Sequence, residues 1–135
     1  MLAASASIAL RDLRLGVELE VGAGSPLALA GPSGAGKTSV LRIVAGLLRP
    51  DEGHVTCGGE GWLDTAREID LPPERRGCGF LFQGYALFPH MRAWENVAYG
   101  LSGARRARRA RAVALLERFG AAPLADARPR ELSGG

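Results

Sequence analysis

The eight residues Gly31-Pro32-Ser33-Gly34-Ala35-Gly36-Lys37-Thr38 leave this chain few ways to fold. They fit the pattern G-x-x-x-x-G-K-[ST]. Before them stands the apolar run Leu27-Ala28-Leu29-Ala30. After them, from Lys37 through Leu48, Val40, Leu41, Val44 and Leu47/Leu48 recur at helical spacing. Glycines let the backbone curl until successive N–H groups point inward, and the start of a helix adds partial positive charge. Such a loop holds phosphate. Lys37 supplies a compact ammonium for β- and γ-phosphates, and the Thr38 hydroxyl suits Mg²⁺. With 19 glycines, one lysine and ten serines plus threonines, a chance match has odds of roughly one in a thousand. The segment predicts a nucleotide site.

That lysine is the only one: the other 16 basic residues are arginines. The net charge of +3 is unevenly spread, with 9 basic and 11 acidic groups in residues 1–100 and 8 against 3 in residues 101–135. This is a basic segment rather than a basic protein, which weakens a general affinity for nucleic acid. A length of 135 residues, 47% of them hydrophobic, suits one small domain with a core. No apolar run approaches the roughly 18 residues that span a bilayer. Met1–Leu10 lacks the basic start of a secretory signal. Cys57 and Cys78 offer neither a disulfide framework nor a metal-ligand spacing, which fits a reducing compartment.

Val17–Val21 alternates apolar and charged residues, as in a half-buried strand. Leu27–Ala30 and Cys78–Phe82 are unbroken apolar stretches that predict strands covered on both faces. Residues 54–77 are turn-rich, with short strands at most around Val55 and Trp62, while Trp94–Leu101 and Ala104–Phe119 predict helices. The order strand, glycine loop, helix, strand predicts a parallel α/β core followed by a helical segment.

Three further places carry chemistry. Gln83 ends the second apolar stretch, where an amide can touch Mg²⁺ or position a water; a solvated loop residue is the plainer reading. Gly84–Met91 gathers two aromatics, Pro and Met, and is either a loop folded onto the core or a partner surface. Leu132-Ser133-Gly134-Gly135 offers a hydroxyl and backbone amides to an anion, with a simple tail as the alternative.

Taken together and in order, these motifs resemble the ATP-binding subunit of ABC transporters over nearly all of the chain. Gly31–Thr38 is similar to that family's Walker A loop, Gln83 to its Q-loop glutamine, and Leu132–Gly135 to the start of its signature motif. Leu71-Pro72-Pro73-Glu74-Arg75-Arg76 and Ala86–Met91 look like the importer branch serving oxyanions, metals, polyamines and sugars. The short beginning together with Gly31–Ser39 is most similar to molybdate-type importers. The resemblance implies a P-loop NTPase core of mixed β and parallel sheet with helices over residues 1–83. Part of the helical subdomain would follow over 84–135.

It also implies roles. Gly31, Pro32, Ser33, Gly34, Ala35, Gly36, Lys37, Thr38 and Ser39 would bind ATP, and Thr38 with Gln83 would hold Mg²⁺. Gln83 would also position the attacking water. Two subunits, most simply a homodimer, would sandwich two nucleotides, with Ser133, Gly134 and Gly135 reaching the γ-phosphate in trans. Tyr85–Met91 would contact a transmembrane permease, with a solute-binding protein engaged indirectly, and the subunit would sit peripherally on the cytoplasmic face of the membrane.

The sequence departs from the family in three respects. No aromatic precedes Trp62, so Ile8–Leu15 offers adenine only aliphatic or arginine contacts. The signature stops at Gly135, before its usual glutamine. The Walker B strand and switch histidine of the family lie beyond the signature, which predicts an amino-terminal piece unable to hydrolyse ATP alone. Two alternatives stay open: a nucleotide-binding module without turnover, and a soluble ATPase of this family acting on nucleic acid. The second would use Arg105, Arg106, Arg108, Arg109 and Arg111. A solvated helix face is the favoured reading of these arginines, because no aromatic interleaves them.

Overall fold

Alternating burial along the first ten residues sets the sheet. A computed structural model describes residues 1–10 and 13–132, and the chain divides into two compact units, Met1–Phe80 and a second from Leu81 onward. In the first unit, β1 (Leu2–Leu10) buries Ala4, Ala6 and Ile8 on one face. It pairs antiparallel with β2 (Leu13–Val21) on one side and β3 (Glu52–Cys57) on the other. β4 (Glu60–Asp64) and the two-residue β5 (Ile69–Asp70) complete the order β2-β1-β3-β4-β5. Gly58 and Gly59, both at positive φ, make the two-residue turn between β3 and β4, where a left-handed backbone matches the strand twist. A register shift in this pair lets consecutive residues Trp62 and Leu63 both be buried.

Helix α1 (Lys37–Val44) lays Val40 and Ile43 on this core, among Ala4, Ala6, Ile8, Leu15, Val55, Trp62 and Leu63. It stops four residues before the expected end at Leu48. Gly46, at φ 77°, takes the left-handed position after the cap, with its N–H on Ile43 O (3.1 Å) and Leu47 N–H on Arg42 O (2.8 Å). That is a Schellman closure, and Gly46 is its sequence signal.

The pairing differs from the parallel core expected. All four strand pairs among the described residues are antiparallel, and neither Leu27–Ala30 nor Cys78–Phe82 joins a ladder. Leu27 and Leu81 are exposed, and of the first run only Leu29 packs against the core. An apolar run shows that a segment tolerates cover, but a parallel strand also needs a neighbour reached by a crossover. The ladders among the described residues come from strands adjacent in sequence and from β1 meeting β3.

The second unit is helical. α2 (Ala93–Val97) and α3 (Arg105–Arg118) meet around Trp94, Ala98, Ala112 and Ala125. The inward stripe of α3 runs through Arg108, Ala112 and Leu116, whereas Ala107, Ala110 and Ala114 are exposed. Arginine on that stripe is accommodated because its guanidinium reaches past the apolar contact to Ala98 O at 3.0 Å.

The arginine cluster is therefore only partly a solvated face. Arg105 and Arg109 lie over the Trp94 ring, 5.1 and 5.9 Å from its centroid. Arg105 pairs with Glu95 (3.4 Å), while Arg109 and Arg92 both pair with Asp126 (2.7 and 3.2 Å). The aromatic partner comes from α2, so inspection of α3 alone could not reveal it.

Two carboxylates report on this contact. The Arg92 N–H bond holds Glu95 below the ordinary carboxylate range, against an opposing desolvation, and Arg105 adds to the effect. At Asp126, desolvation pushes upward but is outweighed by the guanidinium groups of Arg92 and Arg109. Depressed folded values stabilise the fold above the unfolded carboxylate pKa, and that contribution disappears as pH falls below about 4. The stability advantage of the wild type over a Glu95→Gln/Asp126→Asn double variant is thus expected to shrink as pH falls below about 4, with the Trp94 indole NMR signal moving over that range in the wild type and not in the variant. That variant should also be less stable at neutral pH. Identical acid profiles would contradict the assignment.

Candidate functional site

Gly31–Thr38 forms one continuous loop running into α1. Gly34 and Gly36 have φ of 82° and 88°, the left-handed region that glycine reaches without penalty. At Gly36 this bend delivers the chain into the helix, and an added Cβ would come 2.9 Å from Leu15 Cδ1. Leu15 of β2 thus packs where a side chain would otherwise stand.

Lys37 is half-buried and its ammonium folds over the loop, donating to Gly31 O at 2.7 Å and Pro32 O at 2.6 Å. Thr38 is exposed and Ser39 half-buried on the first turn of α1. That turn has no acidic residue, and no side chain caps it. The first amides of a helix lack intrahelical acceptors, so here they remain available to an anion. Left-handed glycines, an uncapped helix start, one ammonium and one hydroxyl match a polyphosphate carrying a divalent cation.

The other predicted site residue lies near the start of the second unit. Gln83 is exposed and opens a turn closed by Tyr85 N–H on Phe82 O at 2.9 Å. Tyr85 and Ala86 follow with φ of 60° and 48°. Two successive non-glycine residues in the left-handed region store about 1 kcal/mol or more each, a strain that clusters where function needs a particular backbone.

The aromatic segment divides between its two readings. Phe88 turns inward against Tyr99, ring centroids 4.5 Å apart, while Tyr85 and Leu87 stay exposed. Leu87, Phe88 and Tyr99, with Ala86, Asn96, Val97 and Leu116, border an apolar groove of about 370 Å³. Asn96, which the sequence did not single out, organises its rim. Its Oδ1 accepts from Phe88 N–H at 2.8 Å, and its Nδ2 donates to Phe88 O, Met91 O and Arg92 O at 3.3, 3.1 and 3.1 Å. Ser133, Gly134 and Gly135 lie outside the described residues.

A glycine loop opening an uncapped helix, with its lysine folded across the loop carbonyls, defines a P-loop nucleotide-binding module. A protein-family model described as ABC transporter matches residues 15–135, and the chain belongs to that family. Among its relatives, the molybdate/tungstate import ATP-binding protein WtpC of Archaeoglobus fulgidus is 45% identical over 127 residues, 93% of this chain and 50% of that protein. The molybdenum import ATP-binding protein ModC of Mycobacterium tuberculosis is 44% identical over 131 residues, 92% of this chain and 36% of that protein. The Fe(3+) ions import ATP-binding protein FbpC of Yersinia enterocolitica is 44% identical over 121 residues, 89% of this chain and 34% of that protein. The chain thus spans half or less of the length of these relatives. Its fold is similar to the dimeric, post-hydrolysis ATP-binding cassette MJ0796 bound to ADP and Pi (TM-score 0.76, 26% identity, 99% of this chain and 64% of that one).

Proposed function

We propose that this chain carries the phosphate-binding part of an ATPase subunit that drives solute import. The observation that supports this most is the arrangement of Lys37 over Gly31 O and Pro32 O at the uncapped start of α1. In this reading Gly31–Ser39 bind the phosphates of ATP, Lys37 neutralises the β- and γ-phosphates, and Thr38 with Gln83 holds Mg²⁺. The bound metal would supply charge neutralisation and a fixed phosphate geometry. Gln83 would orient water, and Ser133, Gly134 and Gly135 would meet the γ-phosphate held by a second subunit. Hydrolysis belongs to the complete assembly.

The apolar groove lined by Leu87 supports contact of the Tyr85–Met91 segment with a permease helix, and in this reading the subunit is a peripheral component at the inner membrane surface. No described helix is long and apolar enough to cross a membrane. Molybdate or a related oxyanion is the proposed cargo, a reading supported by the named molybdate/tungstate and molybdenum relatives at 45% and 44% identity. A nucleic-acid role finds less support, because Arg105, Arg108 and Arg109 are engaged within their own unit.

The cargo is tested by molybdate accumulation at nanomolar supply in cells lacking the gene. Restoration by the wild type but not by Lys37→Ala is expected. Normal accumulation without the gene would reject the cargo, and restoration by Lys37→Ala would reject the mechanism.

A further inference from the structure

We propose that Arg76 is a positioning residue for the phosphate loop, an inference that rests on the nucleotide reading above. Arg76 is the one buried charged side chain among the described residues, 3% exposed. Its guanidinium spans two stretches of chain. Nη1 donates to Ile43 O and Val44 O (2.9 and 2.8 Å), the last carbonyls of α1, while Nε donates to Leu71 O (2.7 Å) and Nη2 to Asp70 Oδ1 (3.2 Å). The Leu71 end is itself fixed to the sheet, because Leu71 N–H donates to Trp62 O of β4 at 2.8 Å. The C-terminus of α1 is thereby referenced to the sheet through one side chain.

This matters because α1 is short. Eight residues span about 12 Å, and a helix of two turns has little stability of its own. Its direction is set by Val40 and Ile43 on the core and by whatever holds its ends. The N-terminal end carries Lys37 and Thr38 and has no cap, whereas the C-terminal end carries a guanidinium, the charge that the helix dipole favours there. Tilting α1 about its core contacts would carry Lys37 and Thr38 away from the phosphates. Gly46 makes the arrangement possible: a Cβ there would stand 2.7 Å from Arg76 Nε and 2.8 Å from Cζ. Glycine at this position thus both closes the helix and leaves room for the guanidinium.

The test compares Arg76→Met and Arg76→Lys with the wild type in the full chain, by Mg-ATP titration where circular dichroism shows each protein folded. Arg76→Met keeps much of the volume without donors, and Arg76→Lys keeps a cation that cannot span four acceptors. Arg76→Met is expected to bind Mg-ATP about tenfold more weakly, with the ³¹P signal of the bound β-phosphate displaced, and Arg76→Lys to recover part of both. Wild-type affinity and ³¹P position in folded Arg76→Met would overturn the proposal, leaving only a stabilising role. Equal losses in the two variants would also overturn it. Should Arg76→Met not fold, Asp70→Asn removes the carboxylate charge while sparing the carbonyl bonds; about a twofold weakening with the same ³¹P displacement is expected, and no change overturns the proposal. A wild type that fails to bind Mg-ATP overturns the nucleotide reading itself, and the positioning role with it.

Discussion

Lys37→Ala is expected to weaken Mg-ATP binding by two to three orders of magnitude, about 3–4 kcal/mol. The size follows from what the ammonium does. Held 2.7 and 2.6 Å from the carbonyls of Gly31 and Pro32, it stands inside the loop rather than on its rim. Several charge-assisted bonds to phosphate oxygens are lost at once when it goes, and no second lysine can substitute because the chain has none. Lys37→Arg should recover little. A planar fork needs more room than a point charge, and its donors are fixed in one plane where the ammonium's three can rotate to meet the oxygens. This also gives meaning to a basic complement that is otherwise all arginine: the exception stands where a compact, mobile cation is required.

Gly53→Ala is expected to cost the fold about 2–4 kcal/mol, read as a lowered denaturation midpoint. Gly53 is the second residue of β3, opposite Ala6, at φ 152°. An added Cβ there would collide with Ser5 O and stand 2.7 Å from Ala6 Cα, both backbone atoms of β1. A flexible side chain could swing away, but a strand paired on both edges cannot. Gly53 is also bracketed by Thr65, whose Oγ1 accepts from Gly53 N–H (3.0 Å) and donates to Gly53 O (3.2 Å). A midpoint within about 0.5 kcal/mol of wild type would contradict this geometry.

What could be read from the residues was whatever depends on local chemistry. Gly31–Thr38 announces its loop because glycine, lysine and threonine are each needed at their own positions. The helix of residues 105–118 lies within the stretch Ala104–Phe119 that reads as helical, and short strands do form around Val55 and Trp62 in the turn-rich middle. What was lost depends on partners distant in sequence. Apolar character placed Leu27–Ala30 and Cys78–Phe82 as sheet strands, yet a ladder requires a neighbour that composition does not supply.

β1 escaped notice because alanine and serine alternate too softly to register as a strand, although Ala4, Ala6 and Ile8 do alternate with Ser5 and Ser7. Nothing local to Arg76 signals its burial, and only the carbonyls of Ile43 and Val44, over 30 residues away in sequence, give it a purpose. Arg105 and Arg109 likewise need Trp94 from another helix before they become more than charge.

A single titration tests the phosphate site most directly: wild type and Lys37→Ala, each with Mg-ATP and with AMP, followed by calorimetry. Saturable binding of one Mg-ATP per chain, at least about a hundredfold tighter than AMP and nearly abolished by Lys37→Ala, is the predicted result. Equal affinity for ATP and AMP, or wild-type binding by Lys37→Ala, would show that Gly31–Thr38 does not hold the phosphates.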